Sequence, residues 1–498
     1  MSKVVIIGSG LGGLSCGYIL QKNGYDVTVL EQGIQLGGCL QCFVRRGAKF
    51  ETGMHFIGSA SEGQTMDRVF NFLDLKDKVK LSALDESAYN TVSLGGSTFS
   101  FANGRENFLE TMSSYFPHER DALVKYIQVI DRIASASSLN SLTSVDRDMA
   151  ANTEYQLRSI NDVLDEIFED QMLKNVLVGD LSLYSAEYDK TPFSQHAFIM
   201  DFYNQSAYRI AGGSDSIAFG LIKNIEDLGG EVLAKKKVVK IHCNETKATG
   251  VETSDGEFYG ADYVISTIHP NRMLELLDTK LIRPAFRTRI TSIPQTAGGF
   301  AVYVKFKDGV MPYMNTNYYG YAGNSPWGCE DYTSLDWPKG FLYMHMCHED
   351  KAVWANSGVV ISYMNMEDVV RWKGTKIGRR GEDYESFKKL HAELLIQEVE
   401  KHHPGFRDSI ETYYTSTPLT YLDYTGTENG SMYGVAKDIN AGPAGRVPYR
   451  TRIPNLLLAG QNVNSHGMLG VLVGTIVTCS ELISAETIYK QIEESNRK

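Results

Sequence analysis

This 498-residue sequence predicts an α/β protein, in which a Rossmann-like domain built from distant pieces of chain is interleaved with an α+β domain. Three observations predict it. The chain opens with an apolar run that leads straight into a glycine-rich turn. Elements of the same kind recur in two later blocks. The stretches between the blocks carry other periodicities, helical in one and alternating in the other.

The first block reads Val4-Val5-Ile6-Ile7, then Gly8-x-Gly10-x-x-Gly13-x-x-x-Gly17, then Val27-Thr28-Val29-Leu30-Glu31, then Gly37-Gly38. Four consecutive apolar residues suit a buried parallel strand. Gly8 permits the tight turn out of it. Gly10 lets the backbone approach a pyrophosphate at the N-terminus of the next helix, and Gly13 and Gly17 let that helix lie close to the sheet. Leu11 and Gly12 complete this turn. Glu31 closes the second strand, where a carboxylate can hold both ribose hydroxyls, with Gln32 beside it. A strand, a turn, a helix and a distal acid in this order predict a bound dinucleotide cofactor.

The second block begins at Gly212-Gly213-Ser214. An amphipathic helix follows, with Ile217, Leu221, Ile222, Ile225 and Leu228 on one face and Gly229-Gly230 as its cap. Strands are expected at 231–233, 238–241, near 250–252 and, after a turn at Asp255-Gly256, at 261–266. In the third block a strand at 455–461 runs into a turn, and Gly467 to Gly470 opens a final helix through Ile483. Between the blocks, residues 105–205 are helical by periodicity, as in Leu157, Ile160, Val163, Leu164 and Ile167. Residues 295–420 alternate in the β manner and are rich in Tyr. The expected cofactor domain is therefore discontinuous (1–75, 206–290 and 430–498), and 76–205 with 291–429 form the second domain.

The balance of 49 basic and 60 acidic residues gives a net charge of −11, which argues against nucleic-acid partners. The local run Lys235-Lys236-Lys237 reads as a solvated strand edge. Neither a signal peptide nor an apolar stretch of the ~20 residues needed to span a bilayer is visible. Seven cysteines do not make a disulfide framework. These features point to a cytoplasmic protein and leave a peripheral membrane contact open. Cys39-x-x-Cys42 follows a glycine turn, and no second pair stands at zinc spacing, so it reads as a loop beside the cofactor and no metal site is expected.

Further motifs narrow the cofactor. They are Phe50-Glu51-x-Gly53-x-His55-Phe56-x-Gly58, Gly212-Gly213-Ser214, Gly229-Gly230-Glu231, Val238-x-x-Ile241, Ala261-Asp262-x-Val264-Ile265-Ser266, Asn455-Leu456-x-Leu458-Ala459-Gly460-Gln461 and His466-Gly467-Met468-Leu469-Gly470. To these is added Trp372-x6-Arg379-Arg380-Gly381-x-x-Tyr384-x-x-Phe387-Lys388. Over nearly the whole length the set resembles the FAD-dependent amine oxidase and phytoene desaturase superfamily, with its glutathione-reductase-2 type of Rossmann domain. Within it, the set is most similar to the branch of retinol saturases (all-trans-retinol 13,14-reductases) and carotenoid isomerases. The resemblance implies FAD. It implies Gly8, Gly10 and Gly13 at the pyrophosphate, Glu31 at the adenosine ribose and Val238 against the adenine through its backbone. Gly38 and the loop after it would border the ribityl chain, Gly53, Met54 and His55 would approach the flavin ring, and Gly460 and Gln461 would meet the pyrophosphate and ribityl region. Met468 and Leu469 would bring the N-terminus of the last helix to the flavin. Gln461 departs from the amine oxidases, which usually carry Asp or Glu there.

The activity so implied is an FAD-dependent oxidoreductase acting on a C=C bond of a hydrophobic polyene or isoprenoid, by saturation, desaturation or isomerisation. A flavin amine oxidase of the same fold and a non-catalytic flavin- and lipid-binding protein are the alternatives. No catalytic residue is legible outright. His55 and His466 are candidate proton donors, because imidazole titrates near neutrality, and each is equally a candidate structural histidine. Tyr318, Tyr319, Tyr321, Tyr343, Tyr413 and Tyr414 are candidate pocket residues, with sheet packing the stronger reading. No second GxGxxG follows a strand, so no separate nicotinamide domain is encoded. NAD(P)H would then be a transient reductant, or a partner protein would deliver the electrons.

Overall fold

The computed structural model describes residues 1–137, 142, 149–463 and 465–497. A five-stranded parallel sheet runs in the order Glu231–Leu233, Asp26–Leu30, Lys3–Ile7, Tyr263–Ser266, Leu456–Leu458. Its strands come from three separated stretches of chain, as the recurring blocks predict. Side chains alternate across a strand, and here the alternation sorts two cores. Val4 and Ile6 pack with Leu14, Ile217, Leu221, Ile225 and Leu472, which belong to the helices Leu11–Lys22, Asp215–Asp227 and Gly467–Cys479. Val5 and Ile7 face the other way, into a core with Val238, Ile241 and Val251. Those residues lie in an antiparallel sheet of Val238–Cys243, Ala248–Thr253 and Phe258–Gly260. The parallel sheet is thus covered by helices on one face and by a small sheet on the other. At Gly17 an added Cβ would stand 3.0 Å from Ile225 and 3.2 Å from Val29, so this glycine sets the close seat of the first helix.

A seven-stranded mixed sheet runs Ile410–Ser416, Gly299–Phe306, Ser357–Tyr363, Gly340–His345, Asn317–Tyr321, Asn90–Leu94, Ser97–Phe101. One face packs Val302, Val304, Tyr318, Tyr343 and Val360 against Leu395, Ile396 and Val399, on the helix Glu382–His402. The other face carries Tyr303, Tyr319, Tyr321, Leu342 and Val359. It packs against Phe108, Tyr126, Ile130, Phe193 and Ala197, on the helices Arg105–Tyr115, Arg120–Ala136 and Phe193–Gln205. No helix among the described residues is long and apolar enough to cross a membrane.

Several local expectations are corrected. The helix opened at Gly467 ends at Cys479, short of Ile483, and a further helix follows at Ala485–Ser495. Leu228 is the C-cap of its helix and is exposed, unlike Ile217, Leu221, Ile222 and Ile225. Leu157 is left outside the helical face of Ile160, Val163 and Leu164, because a Ser159–Asp162 capping box starts a new helix at Ile160. The β-rich region 295–420 contains the 21-residue helix Glu382–His402, which alternation did not signal.

Candidate functional site

The glycine turn, the second strand's end and the last block converge on one cavity of about 690 Å³. Gly8, at φ +101°, turns the chain out of the first strand. Gly10 is the N-cap of the helix Leu11–Lys22 and supplies no side-chain cap. A Cβ on it would meet nothing within 4 Å, so the first-turn N–H groups face an open cradle. Gly13 instead serves packing, since its Cβ would lie 2.0 Å from the Gly8 carbonyl oxygen. Gly38 approaches from the far wall, where its Cβ would be 2.8 Å from Gly10 Cα. The helix Gly467–Cys479 also begins without a side-chain cap, and Gly467, Met468 and Val471 line the same cavity.

Glu31 is oriented from two sides. Ser9 donates its N–H and its hydroxyl to Oε2, at 3.0 and 2.9 Å, and the Gly33 N–H donates to Oε1 at 2.8 Å. A carboxylate accepts about four hydrogen bonds, so acceptor capacity remains for a diol. Lys236, Lys237 and Val238 form the wall at this end, with Arg272 and Glu275. Lys235 and Lys237 are exposed, as at a strand edge, while Lys236 is partly covered and pairs with Asp255 and Glu257, at 2.6 and 2.9 Å. Gly460 and Gln461 line the groove between the ends. Next to them Asn462 accepts the Val435 N–H at 3.0 Å, which ties the segment carrying Met432 and Tyr433 to the cofactor turn.

Of the predicted positions, Gly8, Gly10, Leu11, Gly12, Glu31, Gln32, Gly38, Gly53, Met54, His55, Val238, Gly460, Gln461 and Met468 all line this cavity, while Gly13 and Leu469 stand outside its wall. Beyond Met54 and His55 the wall becomes aromatic and aliphatic: Tyr203, Tyr321, Phe341, Tyr363, Tyr421 and Tyr433. Of the six candidate tyrosines only Tyr321 is among them. Tyr318 and Tyr343 point to the opposite face of the sheet, Tyr319 is fully buried, and Tyr413 and Tyr414 pack beside the core. The aromatics that sequence reasoning missed, Tyr203, Phe341, Tyr363, Tyr421 and Tyr433, come from five separate segments. One local signal was available for Tyr433, which sits between Gly430 and Gly434 in a turn-rich stretch.

The candidate proton donors differ. His55 lines the cavity, and its Nδ1 lies 3.5 Å from Oε2 of the buried Glu51. Burial holds that carboxyl above its ordinary range, against the opposing pull of His55. His466 is not part of the wall. Its ring lies 4.7 Å from that of Tyr433, and burial, helped by the Lys437 charge, pushes it down to about 3. It is therefore neutral near pH 7 and is no imidazolium acid there. Cys39 lines the cavity but Cys42 does not. Burial raises both thiols, Cys42 to about 11, so neither is a ready thiolate. Among the described residues no cluster of His, Cys, Asp or Glu could hold a metal.

The family of flavin containing amine oxidoreductases matches residues 11–471. The all-trans-retinol 13,14-reductase of Danio rerio is 26% identical, over 99% of this chain and 89% of its own. Prolycopene isomerase 2 of an Oncidium hybrid cultivar is 21% identical, over 98% of this chain and 84% of its own. An oxidoreductase from Methanosarcina mazei has a similar fold, with a TM-score of 0.64 at 16% identity over 96% of this chain and 100% of the other.

Proposed function

Because this chain belongs to the family of flavin containing amine oxidoreductases, we propose that it is an FAD-dependent oxidoreductase acting on a C=C bond of a hydrophobic polyene or isoprenoid. The observation that carries the reading is the continuity of one cavity. It leads from a glycine and carboxylate groove, suited to a dinucleotide, into a chamber walled by Tyr203, Tyr321, Phe341, Tyr363, Tyr421 and Tyr433. Such a chamber suits an apolar conjugated chain.

The residues present fit FAD. The open cradle at Gly10 and the uncapped N-terminus of Leu11–Lys22 would take the pyrophosphate, with Gly8 setting the turn. Glu31 would hold the adenosine ribose and Val238 would lie along the adenine. Gly38, Gly460 and Gln461 would border the ribityl chain. Gly53, Met54 and His55 would bound the flavin ring, and the N-terminus of Gly467–Cys479 would favour negative charge beside it. Bound there, FAD supplies transfer of a hydride or of electrons. The chain's own task is to orient an apolar substrate, exclude water and supply or remove a proton. We take 1–75, 206–290 and 430–498 as the cofactor domain, and 76–205 with 291–429 as the substrate domain. NAD(P)H would be a transient reductant.

The lysines in the wall, Lys236 and Lys237, flank Val238 at the nucleotide end, which does not favour the amine oxidase alternative. The test is anaerobic. Flavin of the purified holoprotein is reduced and mixed with all-trans-retinol or prolycopene. Return of the flavin band at about 450 nm with loss of the polyene spectrum is the expected result for saturation, whereas redox-neutral isomerisation would change the polyene spectrum while the flavin stays reduced. Failure of every polyene together with peroxide release from amines in air would reinstate the amine oxidase.

A further inference from the structure

We propose that the loop 370–380 is a docking surface for a lipid bilayer with anionic headgroups, and that it holds one rim of the cavity against that bilayer. Lipid binding is a property beyond the proposed flavin chemistry and does not depend on it.

The loop contains Arg371, Lys373, Lys376, Arg379 and Arg380 and no acid, in a chain of net charge −11. Its anchors are buried. Trp372 packs its ring against those of Tyr384 and Phe387, at 5.1 and 5.2 Å, and donates its Nε1–H to Asp383 at 2.8 Å. Arg380 folds the loop back on itself. Its Nη1 donates to the Trp372 and Thr375 carbonyls, each at 3.1 Å, and to the Thr375 hydroxyl at 2.7 Å. Gly374 and Gly378, at φ +84° and +72°, turn the chain between these anchors. Trp372, Arg380 and Tyr384 of the sequence motif thus build a scaffold, and the residues between them face outward.

Residues 373–379 are all exposed. Val370 and Ile377 are each 50% exposed, and Leu390, on the adjoining helix Glu382–His402, is 58% exposed. Single exposed apolar side chains are ordinary. Here they are interleaved with Arg371, Lys373, Lys376, Arg379 and Lys389, and none of these five pairs with a carboxylate among the described residues. The acids that flank the loop are Glu367, Asp368, Glu382, Asp383 and Glu385. Three of them are engaged: Asp368 accepts the Tyr332 hydroxyl, Asp383 accepts from Trp372, and Glu385 pairs with Lys388 at 2.9 Å. Salt screens the rest of the acidic chain beyond about 8 Å, so the local excess of cations decides what the loop attracts. Long cationic side chains beside exposed Val, Ile and Leu suit a headgroup layer, where the stems bury and the charges stay wet. The cations alone would equally suit an acidic protein; the apolar side chains standing among them favour lipid.

The loop is also fastened to the cavity. Arg380 Nη2 donates to Asp423, and the Tyr384 and Thr417 hydroxyls share a hydrogen bond of 2.9 Å. Thr417 is the N-cap of the helix Pro418–Thr425, whose Tyr421, Leu422, Asp423, Tyr424 and Thr425 line the cavity. Tyr424 is 64% exposed, so the cavity wall reaches solvent on this helix. A bilayer held by the loop would lie beside that rim, the side from which a lipid-soluble molecule arrives.

The test is cosedimentation of the purified holoprotein with large vesicles of phosphatidylcholine, with and without phosphatidylglycerol, at about 0.1 M and about 1 M salt. Wild type should sediment with the anionic vesicles, and only at the lower salt. Lys373→Gln together with Lys376→Gln should weaken that binding by about 25-fold, about fivefold for each cation removed. Ile377→Ser should weaken it as well and keep its salt dependence. These side chains are exposed and lie outside the cavity wall, so flavin content and the urea midpoint should stay at their wild-type values. Lys247→Gln together with Lys280→Gln, two exposed lysines elsewhere in the chain, is the control and should bind as wild type does. A wild type that ignores anionic vesicles or binds neutral ones equally well overturns the proposal. So do loop variants that bind like wild type, and a control weakened as much as they are. Retention on immobilised polyglutamate without vesicle binding would give the loop to an acidic protein partner and also overturns it. Vesicle binding as expected by a protein that turns over no polyene refutes the substrate reading while upholding the docking surface.

Discussion

Gly10 and Gly13 stand in one turn, yet an added methyl meets opposite surroundings at the two positions. At Gly10 the backbone has φ −66° and the methyl enters the open cavity. Gly10→Ala should therefore leave stability within about 0.5 kcal/mol and sharply reduce the flavin retained on purification. At Gly13 the methyl would lie 2.0 Å from the Gly8 carbonyl oxygen. Gly13→Ala should lower apoprotein stability by about 1–3 kcal/mol or more, because packed backbone cannot yield cheaply. Urea unfolding of the apoproteins, beside the flavin-to-protein absorbance ratio of the purified holoproteins, separates the two effects. A Gly10→Ala protein with full flavin content would place the pyrophosphate elsewhere. Both glycines were legible in the sequence, because a tight turn at a strand end leaves few residue choices. Tyr203 and Tyr421 of the cavity wall were not, because nothing local marks a ring whose place comes from what packs beside it.

Among the elements, the helix Ile160–Ile167 shows how a local signal can override periodicity. Its apolar spacing extends back to Leu157, but the Ser159 hydroxyl accepts from the Asp162 N–H at 3.1 Å and the Asp162 carboxylate accepts from the Ser159 N–H at 3.3 Å. Ser159→Ala should cost about 1 kcal/mol, read as a shift of the urea midpoint at constant slope; no shift would mean the helix start is held by packing alone. The seven-stranded sheet shows the converse. Alternation separates Tyr318 and Tyr343 from Tyr319 and Tyr321, but it does not say which face meets the cavity. That was set by the helix Glu382–His402 covering the first pair. This helix was hidden in the sequence because it buries only Tyr384, Ala392, Leu395, Ile396 and Val399 amid a charged surface.

For the whole molecule, buried histidines set the response to acid. Burial lowers His196 and His466 to about 3 and His403 to about 4. Each stays neutral in the folded chain but takes a proton near the ordinary value of about 6.5 once unfolded. Their stabilising contribution is thus complete above about pH 6.5 and is lost as pH falls from there through the folded values. Asp180 acts in the opposite sense: raised to about 7, its contribution is present below its ordinary carboxylate value and is lost as pH rises through about 7. These lowered histidines predict a thermal midpoint that drops as pH falls below about 6. In Asp180→Asn the midpoint should no longer decline toward neutral pH; a wild-type midpoint flat from about pH 6 down to about pH 4 would refute the histidine assignment. The sequence by itself determined the proposed cofactor groove and the layered parallel sheet, because turn glycines, strand runs and a terminal acid are constrained by their immediate neighbours. Tertiary structure alone decided the aromatic chamber of the cavity. Tyr203, Tyr321, Tyr363, Tyr421 and Tyr433 lie on separate segments, and only the order in which strands and helices pack brings their rings to one wall.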